Sequence, residues 1–154
     1  MTNITPKKET GTSESTFRFE RKFLISEYSF EEIEALIKLH PAMFREIHEQ
    51  RYINNIYLES HGWDSYFDSV EGHGNRTKVR VRWYGDLIGS IERPVLEFKS
   101  KRGLVGRKRS FTLQPFTLIN GFDQRNFDEV VDGSALPSDV QFELSQLRLV
   151  LVNR

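Results

Sequence analysis

Lys78, Arg80 and Arg82 fall at every second position of RTKVRVRWYG, residues 76–85, with Val79, Val81 and Trp83 between them. Side chains on a strand alternate faces and repeat about every 6.6–7 Å along one face. The three cations therefore form a row, and the apolar residues form its reverse. VLEFKSK, 95–101, follows the same rule, with Glu97, Lys99 and Lys101 on one face and Leu96 and Phe98 on the other. So does TFRFERKFLI, 16–25, where Arg18, Glu20 and Lys22 oppose Phe17, Phe19 and Phe23. In GRKRSFTL, 106–113, Lys108 opposes Arg107 and Arg109, and either set could join the others. The phenylalanine faces are expected to pack the core.

Rows of cations suit a chain of phosphates. Arg forks onto phosphate oxygens, and Lys acts as a mobile point charge. Glu20 and Glu97, set among those cations, could hold Mg2+ or Mn2+, which take oxygen ligands and bridge phosphates. Two geometries satisfy the pattern: the solvated side of an antiparallel sheet, or the lining of a closed or half-closed barrel. Like charges on adjacent strands repel, so cations at matched parity on successive strands point to an anionic ligand.

The elements that must position these residues can be read in outline. Residues 1–16 are polar and read as a disordered leader, and 17–154 as one domain. A strand is expected at 16–25. A helix follows, because Ser29 precedes Glu32 in a capping-box pattern, Phe30, Ile33, Leu36 and Ile37 recur at helical spacing, and Pro41 ends the run. Further strands are expected at 51–60, 77–84, 95–101 and 106–113, with RGLVG as a hairpin loop between the last two. WDSYFDSVEGHGN, 63–75, reads as a loop or short strand leading to a turn, and DLIGSIERP as a turn. Residues 115–135 read as short helical turns and loops. PSDVQFELSQL reads as a short helix, and RLVLVNR as a strand that runs to the last residue, which suggests a truncated chain or one half of a larger barrel.

FERKFLI, 19–25, resembles the opening strand of the triphosphate tunnel metalloenzymes, whose CYTH branch carries Glu-x-Glu-x-Lys. Glu20 and Lys22 match the last two positions, and Arg18 stands at the first. NNIYLES is similar to a further strand of that superfamily. KVRVRWYG and VLEFKSK with GRKRSF resemble the vacuolar transporter chaperone (VTC) domain, its polyphosphate-polymerase branch. The resemblance implies an α+β fold built on an antiparallel β tunnel with peripheral helices, represented here by its N-terminal part. It implies binding of inorganic polyphosphate, ATP or another phosphorylated small molecule, with Mn2+ or Mg2+ as cofactor. The implied reaction is transfer of the γ-phosphoryl of ATP to polyphosphate. The phosphate-binding set would be Lys22, Lys78, Arg80, Arg82, Lys99 and Lys108. Within it Arg80, Arg82 and Lys99 would be catalytic, acting by positioning and charge neutralisation. Glu20 and Glu97 would order those cations or touch the metal. A non-catalytic polyanion-binding module and a triphosphate hydrolase are the alternatives.

Composition narrows the classes. The chain is neutral overall, yet residues 76–109 hold eleven Lys and Arg against three acids, a local charge of +8. So segregated a field favours an anionic partner. There are no cysteines, which removes disulfides and thiolate metal sites and agrees with a reducing, cytoplasmic setting. No apolar run is long enough to span a membrane. His40, His48, His61 and His73 lack zinc-ligand spacing, and GHGN, 72–75, does not lie between a strand and a helix as a P-loop must. Tyr57, Tyr66 and Trp83 among the cations would suit base stacking, but no nucleic-acid motif accompanies them, and nucleic acid is not the expected partner.

Overall fold

The computed structural model describes residues 18–19 and 23–153. Its elements run β1 (Arg18–Phe19), α1 (Phe30–Lys38), β2 (Ile53–Glu59), α2 (Asp64–Val70), β3 (Asn75–Tyr84), β4 (Gly89–Ile91), β5 (Val95–Arg102), β6 (Val105–Thr112), β7 (Phe116–Leu118), α3 (Gln124–Asp132), α4 (Ser138–Ser145) and β8 (Arg148–Asn153). Six strands form one sheet in the order β1-β6-β5-β3-β2-β8, and β4 pairs with β7 in a second. Every pairing is antiparallel. The fold is α+β as expected, and among the described residues the six-stranded sheet is an open wall that does not close on itself.

Alternation in the sequence sets the two faces of that wall. Val79, Val81 and Trp83 of β3, Leu96 and Phe98 of β5, Ile56 and Leu58 of β2 and Phe111 of β6 are buried on one side. Ile91, Phe116 and Leu118 of the small sheet join the same core, with Phe127 and Val130 of α3 and Val140 and Leu144 of α4. Each such side chain stabilises the fold by about 1.5–3 kcal/mol on burial. One face is thus committed to packing, and the cations are left on the other.

The β5–β6 hairpin needs only Gly103 and Leu104 as its loop. Gly103 has φ +58° and Leu104 a negative φ, the pattern of a type II′ turn, whose twist matches that of the strands. This tight turn keeps Lys99 and Lys108 opposite each other.

Four expectations are corrected. Residues 64–70 form α2, where a loop or short strand was expected; the run is too short and aromatic to show a helical period. The turn expected at DLIGSIERP contains β4, three residues whose strand partner, β7, lies far along the chain. Residues 115–135 hold β7 and a full helix, α3, capped by Asp123, which accepts from the Asn126 N–H at 3.1 Å. Of the strand expected at 16–25, Arg18–Phe19 is described as strand, residues 23–25 are not strand, and Phe23 is 79% exposed, so it is no part of the core. The expected leader, residues 1–16, lies outside the described residues.

Candidate functional site

Strand register arranges the cationic face as three rows that cross the sheet. In the first, Lys78 of β3 stands opposite Lys99 of β5, and Lys99 opposite Lys108 of β6. In the second, Tyr57, Arg80, Glu97 and Ser110 follow one another across β2, β3, β5 and β6. In the third, the order is Asn55, Arg82, Val95 and Thr112. Neighbouring strands are about 4.8 Å apart, so three lysines abreast repel unless an anion lies over them.

Glu97 is the counterweight beneath these cations, and it is 3% exposed. Its Oε2 accepts from Arg80 Nε at 2.9 Å and lies 2.8 Å from Arg80 Nη2, a forked pair. Its Oε1 lies 3.3 Å from Lys108 Nζ and 3.6 Å from Arg82 Nη1. Burial by itself would push this carboxyl up. The Arg80 hydrogen bond outweighs that, with the charges of Arg82, Arg80 and Lys108, and holds it below the usual carboxylate range. Glu97 is therefore an anion that aims three cations.

The expected residues divide as follows. Lys78, Arg80, Arg82, Lys99 and Lys108 share the face, and Lys108 joins in preference to Arg107 and Arg109. Arg109 lies on the opposite face, 4.6 Å over the Phe98 ring and paired with Glu143 of α4. Lys22 and Glu20 lie outside the described residues. Arg18 is in register with Gly106.

Several residues on this face were not singled out for it. Asn55, Tyr57 and Glu59 alternate with Ile56 and Leu58, the same parity signal that marked β3. Ser110 of β6 and Asn153 of β8 emerge only from pairing. Asn55 Nδ2 donates to Asn153 Oδ1 at 3.2 Å. Among the described residues, the buried Asn55 Oδ1, Arg82 Nε and Ser110 Oγ have no hydrogen-bond partner. Buried polar atoms are normally satisfied, and these three belong to two neighbouring rows of one face.

Of the two carboxylates expected to touch a metal, Glu97 alone lies among the described residues. Both Glu97 oxygens already face cations, and among the described residues no group of three His, Asp or Glu could hold an ion. His73 is placed between Asp68 and Glu71, at 2.8 and 3.1 Å. No helix among the described residues is long and apolar enough to cross a membrane.

Fold and face together define an α+β domain whose antiparallel sheet carries one packed side and one side of ordered cations. The family model named VTC domain matches residues 17–140, and the chain belongs to that family. The matched stretch includes Lys78, Arg80, Arg82, Glu97, Lys99 and Lys108. No curated protein and no solved structure gives a significant match.

Proposed function

We propose that the cationic face binds the phosphate chain of polyphosphate, triphosphate or a nucleotide, and serves phosphoryl transfer from ATP to polyphosphate. The observation that carries this is the in-register assembly of Lys78, Lys99 and Lys108 beside Arg80 and Arg82, with Glu97 fixing the guanidinium groups from below. Membership of the VTC domain family points the same way, to polyphosphate-polymerase-related function.

In this reading Arg80 and Arg82 hold phosphate oxygens in a fixed fork, and the lysines follow the chain. Charge that builds on the transferred phosphoryl group meets donors already oriented, so little reorganisation is needed. Arg82 Nε and Ser110 Oγ supply donors that have no other partner among the described residues. Mn2+ or Mg2+ would accompany the phosphates as a counterion, with Glu97 the described carboxylate nearest to them.

The test is titration of the 154-residue chain with inorganic polyphosphate, followed by incubation with ATP and Mn2+. Arg82→Ala is expected to weaken binding about tenfold or more, since charge-assisted hydrogen bonds contribute about 1.5–3 kcal/mol. Chain product marks a polymerase, and free phosphate a hydrolase. Binding without either product marks a non-catalytic module. Polyphosphate affinity indifferent to both Arg82→Ala and Arg80→Ala would remove the proposal.

A further inference from the structure

At one end of the cationic face a cavity of about 300 Å³ opens between β2, β3, α2 and β8. Its lining includes Tyr57, Glu59, Trp63, Tyr66, Lys78 and Asn153. Glu59 is 8% exposed, and its Oε1 accepts from the backbone N–H groups of Ser60 and Ser65 at 3.0 and 3.1 Å. It follows Tyr57 by two residues, so it shares the cationic face, and its grip on Ser65 brings the start of α2 onto that face. Trp63 and Tyr66 meet at 80° with ring centroids 6.3 Å apart. They form a corner in which a flat ring laid on one aromatic face meets the edge of the other.

Two irregularities converge on this corner. Trp63 has φ +59°, in the left-handed region, which costs a bulky residue energy and persists only where the surroundings enforce it. The β2–β8 register shifts between Tyr57 and Leu58, skipping Val150, and Val150 also lines the cavity. Bulges of this kind re-aim side chains next to functional sites.

We propose that this cavity seats the base of a nucleotide whose phosphates lie along Lys78, Arg80 and Arg82. The inference rests on the phosphate-binding reading of the face. Lys78 belongs both to the cavity lining and to the first cationic row, and Arg80 lies about 6.6–7 Å further along the same strand. An inorganic phosphate chain gains little from aromatic rings and is repelled by the Glu59 carboxylate. A flat heterocycle stacks on those rings, and an exocyclic amine donates to Glu59. The cavity therefore selects a nucleotide over tripolyphosphate, although tripolyphosphate is the more highly charged.

Calorimetric titration of the full chain with ATP and with tripolyphosphate tests this, accompanied by tryptophan emission. Trp83 is 2% exposed, so ligand quenching reports Trp63. The expected result is ATP binding about tenfold tighter than tripolyphosphate, in line with one stacked base, with quenching by ATP alone. Tyr66→Ala, at a side chain that is itself exposed, should bring ATP down to the affinity of tripolyphosphate and leave the latter unchanged. Trp63→Ala should do the same if Tyr66→Ala is compromised in folding. Equal affinities in the unaltered protein, both lost on Arg82→Ala, overturn the base pocket and leave the phosphate face standing. ATP binding that survives Arg82→Ala, with no tripolyphosphate binding, overturns the phosphate face and this placement with it. Binding of neither ligand overturns both.

Discussion

Glu97 keeps its negative charge beneath the sheet surface because Arg80, Arg82 and Lys108 surround it. Breaking a buried pair by removing one partner is costly, since the remaining charges lose their compensation. Glu97→Gln is expected to lower stability at neutral pH by about 3 kcal/mol in denaturant titration. The pH dependence has a definite sign. The folded carboxyl binds its proton below the usual carboxylate value, so as pH falls from that value the unfolded chain takes up the proton first. The Glu97 contribution is full above the ordinary range and is lost as pH drops through the lowered folded value. The stability gap between the unaltered protein and Glu97→Gln should therefore close in acid; a gap constant from neutral pH down to strong acid would refute the ion-pair account. Arg82 plays a different part from Arg80, because its contact with Glu97 is longer and its Nε lacks a partner among the described residues. Its loss should fall on ligand binding more than on stability.

Among the elements, α1 stands apart. Ser29 accepts from the Glu32 N–H at 3.3 Å, and the Ser29 N–H donates to Glu32 Oε2 at 2.8 Å, closing the capping box read from the sequence. Yet α1 buries no residue, and Phe30 and Leu36 are exposed. Its stability is therefore local, where a short unpacked helix is marginal. Ser29→Ala should cost α1 about 1 kcal/mol. Amide exchange should then quicken across 30–38 while the amides of β3 and β5 keep their rates. Slowed folding or a shifted global midpoint in this variant would mean that α1 is coupled to the sheet. α2 is the contrasting case: shorter still and likewise without a buried residue, it is tied to the sheet through Glu59.

At the scale of the whole molecule, one sheet separates a core from a cationic face, and each depends on the other. Phe98 sits on the packed side of β5, 1% exposed, with its ring 6.1 Å from that of Phe111. It is the sequence neighbour of Glu97 and Lys99, whose side chains point the other way. Phe98→Ala should cost about 3–5 kcal/mol of stability by calorimetry or denaturant titration. Polyphosphate affinity of the fraction that remains folded should fall as well, because the rows lose their fixed register. Unchanged affinity in that folded fraction would show that the rows do not need the core beneath them.

Alternation in β3, β5 and β6 was enough to place Arg80, Arg82, Glu97 and Lys99 on one side and Val81, Leu96 and Phe98 on the other, because a strand has only two faces. Capping residues marked α1, and glycine marked the β5–β6 turn, since both signals act within a few residues. What the chain could not declare locally was decided by pairing. Register put Lys108 with Lys78 and Lys99 and sent Arg109 to α4. It turned residues 89–91 into β4 through a partner more than twenty residues away, and set Asn55 and Ser110 beside Arg82 and Glu97. The corner of Trp63 and Tyr66 needed α2, a helix too short to show a period of its own and fixed by a buried carboxylate from β2. Parity is a property of one strand and is written in the sequence. Register and enclosure are relations between strands, and only the folded sheet supplies them.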